Sequence, residues 1–422
     1  GAHYTPRSYV ERLVRPVVME PLRQEWDEIE LELKRLLEPA PGAEEPTAKK
    51  RKDAEQEIRA FLDKLRTIKI LDPACGTGNF LYVSLDLLKG LELEVQTRLV
   101  DVAGQVQLNV LEQINPSQFL GIEINPRAAA IAELVIWIGY LQWYFKRYGN
   151  AEPPEPVLQA FGNIECRDAV LAYDGIEPDV DAKTGQVRTR WGGRMMKHPV
   201  TGEEVPDPED QVVIYRYLNP RPAEWPEADY VVSNPPFIGN YRMREALGDG
   251  YAEALRQIYK QVSDTADYVM YWWHKGAETL KSSDISRFGF ITTNSIWRVF
   301  QRKTIDYHLK QKKPITLFFA IPDHPWVDNG AAVRIAMTAA ELEDPKIKSS
   351  SQLGSVIQEG NALTPEDEAD TVAVEYKNVS KIFSNLRAGA DVTKTFSLVS
   401  NKQLCCRGVQ LIGRGFELEN VD

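Results

Sequence analysis

The sequence predicts a doubly wound α/β fold, in which helices cover both faces of a mostly parallel β-sheet. Three observations favour this fold. Short apolar strands alternate with helical segments between residues 68 and 293. The first strand runs into a glycine-containing turn that opens a helix, as in nucleotide-binding α/β folds. The last two strands, 315–321 and 331–337, are separated by an Asp-Asn-Gly turn, which predicts an antiparallel hairpin at one edge.

A helical arm is predicted for residues 1–66. Apolar residues recur at helical spacing from Ser8 to Glu38, where Pro39 ends the pattern. Residues 39–52 are rich in proline and charge, so we expect a linker that buries no core. A second helix is expected to follow as far as Leu65.

The main unit is predicted to span residues 67–345. The expected strands are 68–72, 119–123, 228–233, 288–293 and the two of the edge hairpin, and the expected helices are 79–113, 126–148 and about 264–281. The helix 126–148 is apolar nearly all round, which predicts that it is buried against the sheet.

Two further segments differ from the sheet-forming sequence. Residues 151–226 are rich in Pro, Gly, Asp and Glu, and we interpret them as an insertion in which residues 185–194 form a hairpin. Residues 346–422 are interpreted as a transition toward a target-recognition domain that this sequence lacks. Their adjacent Cys405 and Cys406 are expected in a buried strand.

Composition narrows the class of protein. The chain has 422 residues, of which 43% are hydrophobic and 26% charged, as in a globular enzyme of about two or three domains. Four cysteines and five histidines show no disulfide or zinc spacing, so no metal site is expected. No run approaches eighteen apolar residues and no signal peptide is visible, which predicts a cytoplasmic protein without a membrane partner.

The charge is unevenly distributed. A formal net charge of -11 argues against nucleic-acid binding by the chain as a whole. Between Ile296 and Pro314, however, six basic residues stand against one acidic residue. This basic edge is a candidate phosphate-contacting surface, and a solvated helix face is the alternative.

The most informative motif follows the strand 228–233 and reads Asn234-Pro235-Pro236-Phe237. Two prolines fix the backbone and remove two N–H donors, so the Asn234 side-chain oxygen and the Pro235 carbonyl can both accept hydrogen bonds from one amino group. Such a cradle holds an amine while its lone pair attacks. Phe237 offers a face for stacking a heterocycle. The alternative is a structural turn closed by an aromatic side chain.

A second motif begins at the end of the first strand and reads Asp72-Pro73-Ala74-Cys75-Gly76-Thr77-Gly78. Its glycines let the backbone approach a ligand closely, and Asp72 can reach an amine or hydroxyl group. The third glycine of a dinucleotide site is absent, and the acidic residue after the next strand, Glu123, lies more than forty residues past the loop instead of about twenty. NAD is therefore disfavoured.

Five motifs in a fixed order carry a resemblance to a known family. They are His3-Tyr4-Thr5-Pro6, Asp72 to Gly78, Gly121-Ile122-Glu123, Cys166-Arg167-Asp168 and Asn234 to Phe237. In this order they resemble the γ-class of DNA adenine-N6 methyltransferases, and in particular the large bacterial enzymes of type IIL restriction-modification and of the BREX and DISARM phage-defence systems. The resemblance covers about residues 1 to 340.

The resemblance implies a fold, a reaction and a cofactor. The fold would be the Rossmann-like fold of class I methyltransferases, the methyl donor S-adenosylmethionine, and the partner double-stranded DNA with the target adenine flipped out. Asn234, Pro235, Pro236 and Phe237 would form the catalytic turn. The residues implied to bind the cofactor are Tyr4, Thr5, Asp72, Pro73, Ala74, Cys75, Gly76, Gly78, Glu123, Ile124, Asp168 and Ala169.

Individual roles follow from the same resemblance. Thr5 and its neighbours would hold the cofactor carboxylate, Glu123 both ribose hydroxyls, and Asp168 the adenine amine. One departure concerns Ala169, because the family often has an aromatic residue there that stacks on the cofactor. Taken singly, Glu123 and Asp168 are also typical of strand-end turn or cap residues.

Two other functions fit part of the pattern. Enzymes that methylate a protein glutamine or RNA bases share the Asn-Pro-Pro-aromatic turn. A non-catalytic subunit that binds the cofactor or DNA within a defence complex is the second alternative, although an intact catalytic turn argues against it.

Overall fold

A computed structural model describes residues 5–38, 46–104, 113–149, 162–283, 285–328, 331–344, 350–359 and 372–390, and it describes the backbone only at 327, 328, 331 and 332. These residues form a nine-stranded sheet with helices on both faces, which confirms the predicted doubly wound α/β fold. Tyr4, Cys405 and Cys406 lie outside the described residues, as does the end of the predicted transition segment.

The described α-helices are α1 Arg7–Val14, α2 Glu20–Leu37, α3 Ala48–Thr67, α4 Asn79–Ala103, α5 Pro126–Tyr148, α6 Asn240–Leu247, α7 Asp249–Ile258, α8 Val269–Ser282 and α9 Val299–Leu309. A π-helical stretch, Arg15–Met19, joins α1 to α2, and short 3₁₀ turns span Pro116–Gln118 and Asn294–Trp297.

The described strands are β1 Ile70–Asp72, β2 Phe119–Glu123, β3 Ile164–Cys166, β4 Leu171–Ala172, β5 Gly175–Pro178, β6 Thr189–Trp191, β7 Met195–Lys197, β8 Glu204–Pro206, β9 Gln211–Val213, β10 Tyr215–Leu218, β11 Arg221–Pro222, β12 Tyr230–Ser233, β13 Arg287–Thr293, β14 Ile315–Asp328, β15 Ala331–Leu342, β16 Ser351–Gln358 and β17 Ala373–Val379.

The central sheet has the strand order β17-β16-β14-β15-β13-β12-β1-β2-β3. Strands β3, β2, β1, β12 and β13 run parallel to one another. The chain leaves β1 toward β2 and β3 on one side and returns to β12 and β13 on the other. The order therefore reverses between β1 and β12, and the carboxyl ends of these two strands flank the crevice where α/β sheets bind ligands.

The predicted edge hairpin is present as β14 and β15, which run antiparallel to each other and are longer than expected. β15 also runs antiparallel to β13, so it lies inside the sheet and not at its border. On the other side of β14, β16 pairs parallel with β14, and β17 pairs antiparallel with β16. Part of the predicted transition segment thus extends the same sheet.

Two apolar cores cover the two faces of the sheet. One contains side chains of α1 to α5, including Leu13, Phe61 and Leu85. The other contains side chains of α6 to α9, including Leu255 and Trp273. Central strands are buried on both sides, as continuous apolar runs predict for a parallel sheet.

The N-terminal arm is part of the first core. Its Leu13 and Val17 pack so closely on β13 that a Cβ added to Gly289 would lie 2.9 Å from Leu13 Cδ1 and 2.6 Å from Val17 Cγ2. The predicted linker is wrong at its end: α3 begins at Ala48, where the Thr47 hydroxyl caps the helix by accepting a hydrogen bond from the backbone of Lys50 at 3.3 Å. This cap outweighs the charge of the segment.

Helix α5 has the predicted bounds, because the Asn125 side chain caps its first turn and Pro126 fits that turn. It packs against the sheet as predicted, but only on one side. Ile131, Leu134, Ile138 and Phe145 are exposed on one face, while the other packs on β2 and β3. By length and composition alone α5 also meets the criteria for a membrane-spanning helix, a test that core helices of soluble proteins pass as well.

From β4 to β11 the predicted insertion forms small antiparallel pairs outside the central sheet, but its first described strand, β3, pairs parallel with β2 and belongs to that sheet. The predicted hairpin over 185–194 is wrong, because β6 pairs with β9 and β7 pairs with β8. Helix α4 ends at Ala103 and not at the predicted residue 113. Gly104 follows its last residue with a positive φ of 79°, a conformation that typically ends a helix.

Candidate active site

The two motifs meet at the reversal point of the sheet. Ser233 is the last residue of β12, and its hydroxyl donates to Asp72 Oδ1 at 2.5 Å, at the end of β1. The indole N–H of Trp272, on α8, donates to the carbonyl of Pro73 at 3.0 Å. The glycine loop and the Asn-Pro-Pro-Phe turn are therefore held side by side, as their positions after adjacent strands predict.

The loop after β1 needs its two glycines. Gly76 and Gly78 have φ of 54° and 86°, in the left-handed region that residues with a Cβ rarely adopt. A Cβ on Gly78 would also lie 3.1 Å from Ala132 of α5. The loop is closed by backbone hydrogen bonds from Cys75 to the Ile122 carbonyl at 3.1 Å and from Gly78 to the Cys75 carbonyl at 2.8 Å.

Glu123 faces this loop from the end of β2. Its Oε2 accepts from the backbone N–H of Gly76 at 2.9 Å, and its Oε1 accepts from that of Asn125 at 2.8 Å. These bonds fix the carboxylate, and each oxygen keeps a second lone pair for a ligand. The neighbouring Ile124 is exposed.

Asp72 is fully buried behind the loop. Its Oδ1 also accepts from the backbone N–H of Ala74 at 3.0 Å. Burial raises the pKa of this carboxyl to about 7 and the Glu123 charge adds to the increase, against the opposing hydrogen bonds from Ser233 and Ala74. A carboxyl group with this pKa can hold or release a proton near neutral pH.

Asn234 carries an unsatisfied acceptor. Its Nδ2 donates to the hydroxyl of Thr5 at 3.1 Å, and the Thr5 carbonyl accepts from Asn79 Nδ2. The Asn234 Oδ1 atom, by contrast, is buried and accepts no hydrogen bond from the described residues. A buried acceptor without a partner typically costs about 1–3 kcal/mol. Its position therefore points to a donor that a bound molecule supplies.

The other three residues of the turn differ in their exposure to solvent. Pro235 is buried, Pro236 is exposed and Phe237 is half-buried. The Phe237 ring meets Trp326 edge-on at a centroid distance of 6.4 Å, and Trp326 meets Tyr9 at 5.6 Å. Sequence reasoning missed Trp326, because nothing in the β14 sequence distinguishes it from an ordinary core aromatic.

Asp168 makes the contacts of a turn residue. Its Oδ1 accepts from the backbone N–H groups of Val170 at 2.7 Å and Leu171 at 3.0 Å. Its Oδ2 accepts from the hydroxyl of Tyr251 at 2.5 Å, and burial raises the pKa of that tyrosine well above its usual value. The Ala169 methyl group is buried. Contact of either residue with a cofactor stays a prediction.

Asp267, also missed, joins the segment after the Asn-Pro-Pro-Phe turn to the segment after β13. Its Oδ1 accepts from the backbone N–H of Asn240 at 3.2 Å, three residues beyond Phe237. Its Oδ2 accepts from the hydroxyl of Ser295 at 2.9 Å. These partners come from α6 and from the 3₁₀ turn after β13, so sequence spacing cannot reveal the contact.

Away from this site, the fold brings two of the scattered histidines together. His308 Nε2 lies 2.8 Å from His274 Nδ1, and Lys281 Nζ lies 2.6 Å from His308 Nδ1. Glu278 completes a group whose composition could hold a metal ion. The close contacts show that His274, His308 and Lys281 form a hydrogen-bonded network.

Comparisons with known proteins identify the family to which the chain belongs. A model of the family described as MmeI, DNA-methyltransferase domain, matches residues 48–347. DNA methyltransferase A of Bacillus subtilis (strain 168) is 23% identical over 355 residues, which cover 82% of this chain and 32% of the relative. This chain thus spans about a third of that protein.

A solved structure shares the fold. The type IIL restriction-modification enzyme MmeI, solved in complex with DNA, is 22% identical and superposes with a TM-score of 0.61 over 92% of this chain and 42% of that one. The family match covers well over half of the chain and contains both the glycine loop and the Asn-Pro-Pro-Phe turn. The chain belongs to the family of MmeI DNA-methyltransferase domains.

Proposed function

We propose that this chain transfers a methyl group from S-adenosylmethionine to the N6 amino group of adenine in double-stranded DNA. The observation that carries the proposal is the buried, unpartnered Oδ1 of Asn234 beside the glycine loop. Membership of a DNA-methyltransferase family supports the reaction class. Action within a restriction-modification or phage-defence system belongs to the same proposal.

The residues around the loop fit the cofactor. When bound, S-adenosylmethionine supplies an electrophilic methyl group on a positively charged sulfur. The carboxyl of Asp72 suits its cationic groups, and the free lone pairs of Glu123 suit two ribose hydroxyls. Gly76 and Gly78 leave the backbone bare for close approach. Thr5, Pro73, Ala74, Cys75, Ile124, Asp168 and Ala169 are proposed as further contacts, together with Tyr4, which is not described.

The turn after β12 would hold the nucleophile. Asn234 Oδ1 and the Pro235 carbonyl would each accept one hydrogen of the adenine amine, which directs the nitrogen lone pair toward the glycine loop. Transfer would form the new N–C bond as the methyl–sulfur bond breaks, and the surplus proton of the amine would leave for solvent. Pro236 keeps the turn rigid because its φ is fixed.

The target base must leave the duplex to reach this turn. Unpairing and unstacking one base costs about a few kcal/mol. Stacking on an aromatic ring such as that of Phe237 returns roughly 1–3 kcal/mol. The edge contact with Trp326 restrains the Phe237 ring, which would help to preorganise it for the base.

The proposal is tested by incubating the purified chain with S-adenosylmethionine carrying a tritiated methyl group and with unmethylated duplex DNA, RNA or a protein extract in separate reactions. We expect label in the duplex DNA. Label only in RNA or in protein would favour the alternative methyltransferases. Cofactor binding without transfer to any of them would favour a non-catalytic subunit.

Cofactor affinity is expected to depend on pH through Asp72. Burial raises the pKa of Asp72 in the folded chain to about 7. The contribution of this group to folding stability is therefore present at pH values below its ordinary pKa and is lost as the pH rises through about 7. A cationic ligand prefers the ionised form, so affinity should rise with pH up to about 7, and binding at pH 6 should release protons. Calorimetry in two buffers of different ionisation enthalpy measures this release. Asp72→Asn should abolish it, and an unchanged release in that variant would contradict the assignment.

A further inference from the structure

Four consecutive residues next to the candidate site, 297–300, form an exposed ridge with the sequence Trp-Arg-Val-Phe. Trp297 is 42% exposed and Phe300 51% exposed, and Val299 between them is exposed as well. Ile296, directly before the ridge, is buried and anchors it. Single exposed apolar residues are common, but three among four consecutive positions form a patch that calls for a partner.

The charges around the ridge define that partner. Arg298 is exposed within it, and Lys303 lies one turn further along α9 with its Nζ 5.6 Å from the centre of the Phe300 ring. The basic edge continues with exposed Lys310, Lys312 and Lys313. Aromatic faces interleaved with cations are typical of surfaces that stack nucleic-acid bases while they contact phosphates.

The ridge is attached to the catalytic turn. Trp297 ends the 3₁₀ turn that follows β13, and β13 is the parallel neighbour of β12. Asp267 bridges the two loops through Asn240 and Ser295, and its own backbone N–H donates to the buried side chain of Gln301 at 2.9 Å. The ridge is therefore fixed on the same edge of the sheet as Asn234.

We infer that this ridge enters the DNA duplex and that Trp297, supported by Phe300, stacks in the space left by the flipped adenine, against its unpaired partner base. The inference rests on the proposed function, since flipping creates that space. Apolar side chains that insert between base steps partially unstack and kink a DNA duplex. The ridge would thus act on the opened duplex, whereas Phe237 would act on the extruded base.

The test compares two short duplexes that are identical except that one carries an abasic site opposite a central thymine. We expect the chain to bind the duplex with the abasic site about tenfold more tightly than the intact duplex, as stacking of one base on an aromatic ring implies. Trp297→Ala should remove most of this preference, and Trp297→Phe should keep it. Phe145→Ala is the matched control, because Phe145 is 46% exposed on α5, over the opposite face of the sheet. Lys303→Gln should weaken binding to both duplexes by the same factor.

A second readout locates the contact. With 5-iodouracil replacing the unpaired thymine, irradiation should crosslink the base to the peptide that contains Trp297 or Phe300. Any of three results would overturn the inference. The preference could survive in Trp297→Ala, the unmodified chain could bind both duplexes equally, or crosslinks could form only at other peptides. The duplex assay runs without cofactor. A failure to bind S-adenosylmethionine, measured separately by calorimetry, would therefore count against the proposed function and not against the ridge.

Discussion

Asn234→Ala is expected to lower the rate of methyl transfer to DNA by about 100- to 1,000-fold, the loss typical when one preorganised polar group is removed from a reaction centre. Affinity for S-adenosylmethionine should change little, because the Asn234 Oδ1 atom lacks a partner within the described chain and is available to the target amine. A loss confined to transfer identifies an interaction made with the reacting group.

The matched control is Asn234→Asp, which keeps an acceptor oxygen and gives up the Nδ2 donor to Thr5. If acceptance of the amine hydrogens is what matters, the aspartate variant should retain more activity than the alanine variant. Both are measured by single-turnover transfer of a tritiated methyl group, with cofactor affinity determined by calorimetry. Robust transfer by Asn234→Ala would show that the turn has only a structural role.

Glu123→Ala is expected to weaken binding of S-adenosylmethionine by roughly 10- to 100-fold, the equivalent of losing hydrogen bonds to a charged group. The substitution removes the acceptor for the ribose hydroxyls, and it also leaves the backbone N–H groups of Gly76 and Asn125 without their partner. The second effect loosens the glycine loop, so both changes act in the same direction.

Glu123→Gln separates these effects, because its amide oxygen can still accept one of the two backbone hydrogen bonds. We expect its affinity to lie between those of the unmodified chain and the alanine variant in calorimetric titrations. Melting temperatures measured without cofactor show whether each variant is folded. Unchanged affinity in Glu123→Ala would remove this residue from the proposed cofactor site.

Local signals explain what could be predicted of the fold. The bounds of β2 and α5 are as predicted, because the Asn125-Pro126 cap lies between them in the sequence. The exposed face of α5 was missed, since burial depends on which elements pack against a helix. The pairing of β6 with β9 was missed for the same reason, because strands about twenty residues apart find each other through the fold.

Some residues of the candidate site could be predicted from sequence motifs, and others could not. Asp72 and Glu123 end strands and Asn234 follows one, each within a recognisable motif, and the structure brings them to one end of the sheet. Trp326 and Asp267 have no such motif, and their contacts join residues that are distant in the sequence. The missing partner of Asn234 Oδ1 is likewise a property of the assembled site, which only three-dimensional coordinates reveal.

We propose that the turn after β12 presents an adenine amine for methylation. This proposal is tested most directly by digesting DNA treated with the protein and S-adenosylmethionine bearing a deuterated methyl group, and by identifying the labelled nucleoside by mass spectrometry. We expect N6-methyldeoxyadenosine that carries the deuterated group, and we expect none when Asn234 is replaced by alanine. Label on cytosine, or label on adenine at any atom other than N6, would contradict it.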